Sequence, residues 1–169
     1  MGCGRSDDGS FTPGRWCDGR HMIHEAAVLL RQRLIGRFIV QFSLGDYWTF
    51  DLDNRDCLLA QDVASDEEPA VNALLATADP PVLDGADSAR IAKAVLVCRN
   101  MRRSIQFVSI DSEGTLKLTF EGEHNLRFTT DTDVVDWQWC LNDSGNIPYV
   151  GPFIVACFWR GTVDVGQMR

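Results

Sequence analysis

Residues 114–136 read GTLKLTFEGEHNLRFTTDTDVVD and run directly into Trp137, Gln138 and Trp139. Leu116, Leu118 and Phe120 alternate with Thr115, Lys117 and Thr119. A period of two is the mark of a strand with one dry and one wet face. Residues 121–125, EGEHN, carry turn chemistry, and Leu126 and Phe128 then resume the alternation. The stretch predicts an antiparallel β-hairpin that hands the chain on to two tryptophans. Lying two apart, Trp137 and Trp139 share a face on a regular strand.

Upstream, residues 102–110 form a strand with Ile105 and Phe107 on one side and Val108 and Ile110 on the other. That switch of sides predicts a bulge or burial on both faces. A helix runs from Ser88 to about Cys98 through Ile91, Ala92, Val95 and Leu96. Before it, residues 78–87, ADPPVLDGAD, break both helix and strand. Ser65 and Glu68 have the spacing of a capping box for a short helix holding Val71, Leu74 and Leu75.

The first third repeats the same order. A helix over 23–34 ends at Gly36, placed as a C′ glycine. Phe38, Val40, Phe42 and Leu44 then alternate along a strand, Gly45-Asp46 turns, and Trp48, Phe50 and Leu52 share a face on the return. The segments 39–44 and 105–110 align, and residues 48–51 sit beside 118–121. Cys57 to Leu59 form a further short strand. Downstream, residues 142–146 are a strong turn, residues 153–159 read as a central strand apolar on both faces, and 162–165 as a last short one.

The fold class expected is α+β. It is mainly an antiparallel sheet or half-open barrel made from two helix-plus-hairpin units, with two or three covering helices. Residues 1–21 are expected as a flexible tail. Residues 22–169 are expected as one domain, with subunits 22–78 and 88–169 joined by the Pro/Gly linker 79–87.

At 169 residues, 45% of them hydrophobic, the chain can bury a core without disulfide or metal staples. Its net charge is −8, and Lys93 and Lys117 are its only lysines. Such a balance argues against nucleic acid and anionic membranes and suits a basic protein partner. No apolar run suits a secretion signal or a membrane span, so a cytoplasmic location is expected. The six cysteines are irregularly spaced and are read as reduced thiols.

No spacing marks an active site. Cys17, His21 and His24 lack a common zinc spacing, and Asp131, Asp133 and Asp136 lack the glycine and distal glutamate of a calcium loop. Neither phosphate-binding glycine motif occurs. No catalytic residue, metal or cofactor is assigned. His124 reads as a solvated turn residue. Tryptophans with an acidic rim can form a recognition patch, because aromatics anchor interfaces.

The G-x-L-x-L-x-F strand at Gly114, Leu116, Leu118 and Phe120, followed by the Asp136-Trp137 step, resembles a group of small bacterial proteins. That group includes immunity-type proteins encoded beside polymorphic toxins. The similarity covers about residues 34–139. It implies a non-enzymatic, cytoplasmic protein-binding module that neutralises a basic toxin through an acidic surface. The partner-binding residues expected are Asp111, Glu113, Glu121, Glu123, His124, Asp131, Asp133, Asp136 and Trp137. The competing expectation is a small-molecule binder or hydrolase with a cleft between the two halves. A homodimer through edge strands is the third.

Overall fold

The computed structural model describes residues 19–77 and 88–166. The linker 79–87, Cys17 and most of the expected tail lie outside them. Within them the chain is α+β, with three helices and two antiparallel sheets and no closed barrel.

The first unit is α1 (Gly19–Leu34), β1 (Ile39–Leu44), β2 (Trp48–Leu52) and β3 (Cys57–Ala60). After α2 (Glu68–Thr77), the second unit is α3 (Ser88–Asn100), β4 (Ile105–Ile110), β5 (Leu116–Phe120) and β6 (Asn125–Phe128). β7 (Trp137–Asn142), β8 (Val155–Phe158) and β9 (Thr162–Val165) complete it. One sheet runs β1-β2-β3-β7-β8-β9 and the other β4-β5-β6. The last three strands therefore extend the sheet begun by the first three. The apparent division at 79–87 separates no core: Phe50 of β2 and Phe128 of β6 meet edge to face at 5.3 Å in a single cluster.

The two units repeat each other at the helix end, the first strand and the second turn. Each helix ends in a left-handed residue, Gly36 at φ 79° and Arg102 at φ 60°. Each first strand slips register just inside its start, between Ile39 and Gln41 and between Ile105 and Phe107. Each second turn closes identically, with Leu52 N–H donating to Asp56 O at 2.9 Å and Phe120 N–H to His124 O at 2.8 Å. Arg55 and Glu123 hold matching positive φ there, at 71° and 65°.

The ends also cross. Gly36 N–H donates to Ile105 O, while Arg102 N–H donates to Ile39 O. Each helix terminus thus caps the start of the other unit's strand, satisfying groups that would otherwise be orphaned. Arg31 Nε donates to Val108 O, carrying α1 along the open edge of β4. A helix over a strand edge is a standard way to protect it.

Several expectations need correcting. α1 begins at Gly19, so residues 19–21 are helical rather than tail. In β1 the register slip turns Ile39 inward, at 1% exposed, and leaves Val40 outside, while Phe42 and Leu44 pair with the inward-facing Phe50 and Trp48. The expected Phe38-Val40-Phe42-Leu44 face therefore holds beyond the slip, where Phe42 packs on the core and stacks on Trp48, and fails at Val40 before it. The second strands align as Trp48 with Leu116, not with Leu118. Leu44 pairs with Trp48 and Ile110 with Leu116, so two extra turn residues in the second unit shift the alignment. Ser65 Oγ accepts from Glu67 N–H, not from Glu68, and α2 starts at Glu68. Leu74, read as an apolar position of that helix, is 70% exposed.

β5 buries Leu116, Leu118 and Phe120 as its alternation requires. Gly114, just before it, has φ 81°, and a Cβ there would lie 2.8 Å from Cys157 Sγ. Its carbonyl accepts from the fully buried Trp139 indole N–H at 2.8 Å. The glycine of the opening stretch thereby joins the three-stranded sheet to β7 and β8.

Candidate interaction surface

β5 spans five residues, about 13 Å at ~3.3 Å per residue. That length divides the expected acidic residues between two ends of the hairpin. Glu121, Glu123 and His124 lie at the β5–β6 turn. Asp111 and Glu113 lie at the β4–β5 turn, beside the loop carrying Asp131, Asp133 and Asp136, since Thr130 Oγ1 donates to Glu113 O at 3.0 Å.

The β5–β6 end is internally engaged. His124 Nδ1 lies 2.6 Å from Glu67 Oε1, and its Nε2 lies 3.1 Å from Arg99 Nη2. Arg99 also bonds Glu67 Oε2. Both ring nitrogens are occupied, so His124 is a clamp between β6, α3 and the start of α2, not the solvated turn residue expected. Arg103 donates to Glu121 O at 3.1 Å, which adds positive charge to the same corner.

The other end is built on a bulge. β7 slips register between Trp137 and Trp139. Trp139 therefore points into the main core, and Trp137 joins a second cluster with Cys57, Leu59, Cys140 and Ala156. The two rings do not share a face. Trp137 is 3% exposed and stacks edge-on with Tyr47 at 5.3 Å, so it is not available to a partner as expected.

The bulged residue, Gln138, is fully buried and holds the preceding loop. Its Oε1 accepts from Thr132 Oγ1 at 2.6 Å, and its Nε2 donates to Val134 O at 2.7 Å. This leaves Val135 outside, 69% exposed. The loop between β7 and β8 folds back to meet it. Asn142 Oδ1 accepts from the backbone of Ser144 and Gly145 to make the turn, and Tyr149 packs on Phe158 at 5.7 Å. The Tyr149 phenol donates to the Asp136 carboxylate, which pushes its pKa above the usual range, with burial and the charge of Asp136 adding to the effect.

Next to Phe158, Trp159 stands 40% exposed with the Arg160 guanidinium over its ring at 4.1 Å. Arg160 is left-handed at φ 61°. Val135, Tyr149, Val150 and Trp159 are all exposed, and Tyr149 joins Asp136, the chain neighbour of Val135, to Phe158, the chain neighbour of Trp159. Sequence reasoning reached the acids but missed Tyr149, Val150, Gln138 and Arg160. An aromatic within a Pro- and Gly-flanked loop was the only available signal.

Three of the four described cysteines, Cys57, Cys140 and Cys157, are buried, and Cys98 is exposed. Burial pushes Cys57 up to about 12, Cys140 to about 11 and Cys157 to about 12. His21 and His24 lie exposed on α1, and no group of three or more His, Cys, Asp or Glu suited to a metal occurs among the described residues. No described helix is long and apolar enough to cross a membrane. No protein-family profile, curated protein or solved structure was found to match the chain.

Proposed function

We propose that the protein is a non-enzymatic binding module whose partner is a protein with a basic surface, as in immunity proteins that cover a toxin. One observation carries the reading: exposed Tyr149 is held by the Asp136 carboxylate and packs on Phe158, with exposed Val135, Val150 and Trp159 next to these residues along a chain of net charge −8. Exposed apolar patches rimmed by polar groups are typical of docking sites. Tyrosine and tryptophan supply large contact area at small entropic cost, and the acids steer a cationic partner. Asp136 fixes the Tyr149 ring before binding, so less ordering is needed on association.

The test is calorimetric titration of the protein with the product of the adjacent gene. Nanomolar binding is expected, and Tyr149→Ala should weaken it by about thirtyfold or more, the scale of a hot-spot residue. Asp133→Asn should mainly slow association and flatten its salt dependence. Absence of any protein partner, or a partner indifferent to both substitutions, sinks the proposal.

A further inference from the structure

We propose that His124 is an acid-sensitive latch for α2, closed only while its ring is neutral with the proton on Nδ1. The latch lies at the β5–β6 end of the hairpin and is independent of the docking surface at the other end. Three side chains close a ring of bonds there. His124 Nδ1 lies 2.6 Å from Glu67 Oε1, Arg99 Nη2 lies 3.1 Å from His124 Nε2, and Arg99 Nη1 donates to Glu67 Oε2. A guanidinium only donates and an ionised carboxylate only accepts. Nε2 is therefore the acceptor and Nδ1 the donor, which leaves a single tautomer that satisfies both neighbours. A second proton must go to Nε2. It sets a donor against the Arg99 donor, and that contact is lost.

Charge acts in the same direction. Arg103 stands on the Nε2 side as well, since a Cβ on Gly122 would lie 3.0 Å from Arg103 Nη1 and 3.5 Å from His124 Nε2. The Glu67 carboxylate attracts an imidazolium, but it is already paired with Arg99, so protonation puts three cations around one anion. The other acids do not offset this. Asp66 is taken by Lys117 and Arg127, Asp62 by Lys93, and Glu121 and Glu123 stand in solvent on the turn. α2 has little else to hold it: none of its residues is buried, and Val71 is the one that packs on the core. The first unit has no such device. Arg33, which matches Arg99, faces the Asp56 carboxylate directly at 3.8 Å. In the second unit an imidazole takes the place of that carboxylate, and residue 67 supplies the acid from outside the turn.

The experiment is hydrogen exchange of the α2 amides, corrected for the intrinsic effect of pH, with the imidazole nitrogens followed by NMR in labelled protein. At about pH 7.5, above the range where histidine ordinarily gains its second proton, the His124 signals should show a protonated Nδ1 and a bare Nε2. Between there and about pH 5.5, α2 protection should fall about tenfold, the scale of one hydrogen bond to a charged group, and the fall should track the His124 signals. His124→Gln keeps one donor for Glu67 and one acceptor for Arg99 but does not titrate, so its α2 should stay protected across the range. A His21→Gln/His24→Gln control, on α1, should loosen as wild type does. A proton on Nε2 at the upper pH, or a wild-type α2 indifferent to acid, overturns the latch. So does a His124→Gln protein that loosens with acid as much as wild type, or a control that abolishes the effect.

Discussion

Leu59 and Arg127 occupy the same position in the two repeated units, and only one of them is dry. Trp48 pairs with Ala60 as Leu116 pairs with Phe128, which places Leu59 opposite Thr49 and Arg127 opposite Lys117. In the first unit the outer face carries Cys57 and Leu59, continues across the same sheet through Trp137, Cys140 and Ala156, and is packed on by Tyr47, Ile147, Phe153 and Phe158. In the second it carries Asn125 and Arg127, which reach Asp66 at 3.0 and 3.2 Å. The inner faces are alike, because Leu58, Leu126 and Phe128 share one core. The backbone thus fixes what lies within, while the outer residues decide whether further strands and loops are added. The β7–β8 loop that lays Ile147 and Phe153 against this face is the loop that carries Tyr149.

Exchanging those outer residues breaks the comparison most severely. Leu59→Arg buries a charge with no partner and should cost more than about 5 kcal/mol, or prevent folding altogether. Arg127→Leu should stay within about 1 kcal/mol of wild type. Its ion pair is 40% exposed on the arginine side, and its Nε is a buried donor without an acceptor. Urea denaturation of both variants reads the asymmetry, and equal losses would refute it.

The inner faces should behave alike. Phe50→Ala and Phe128→Ala each remove one ring of the same edge-to-face pair, and each should cost about 3–5 kcal/mol. The double variant should lose less than the sum, by about 0.5–1.5 kcal/mol, the worth of an aromatic pair. Full additivity would mean that the units do not depend on this contact.

A smaller contrast lies at the helix ends. Gly36 meets open space where its Cβ would be, so Gly36→Ala tests the left-handed backbone alone and should cost about 1 kcal/mol. Arg102→Gly, at the matching position, should gain up to about 1 kcal/mol. Thermal melts that moved both variants the same way would contradict the matched geometry.

The smallest effect concerns Asp56, which matches His124 in its turn. Burial raises the Asp56 pKa above 3.8, although Arg33 and Asn54 pull it down. A raised folded pKa gives stability that is present below 3.8 and lost as pH rises through the folded value. Asp56→Asn should therefore gain on wild type between pH 3 and pH 7, as denaturation midpoints at the two ends would show.

Much of the fold was legible where polarity alternates without interruption. Leu116, Leu118 and Phe120 read correctly because no residue breaks their pleat, and so did Trp48, Phe50 and Leu52. Bulges were not legible everywhere. The switch of sides at Phe107 and Val108 betrayed one, but those in β1 and β7 leave no mark in residue type, and each puts the side chains on its two sides out of phase. Hence Val40 and Trp137 were misplaced. The acids at 111–113 and 131–136 could be read from composition and turn chemistry. That they lie together, apart from Glu121 and Glu123, depends on strand length and on Gln138. His124 was misread because its partner Glu67 lies far away in sequence and meets it only through the fold.

The pairing of β3 with β7 sets a condition on how the chain is made. Cys57 finds its strand partner in Asn142, which leaves the ribosome long afterwards. At ~5–20 residues per second, the interval is several seconds or more. Through it the first three strands wait with an open, wholly apolar edge at Cys57-Leu58-Leu59-Ala60. Such edges invite pairing with other chains. The yield of folded protein should therefore depend on the speed of translation between the two units, and slowing it there would favour aggregation.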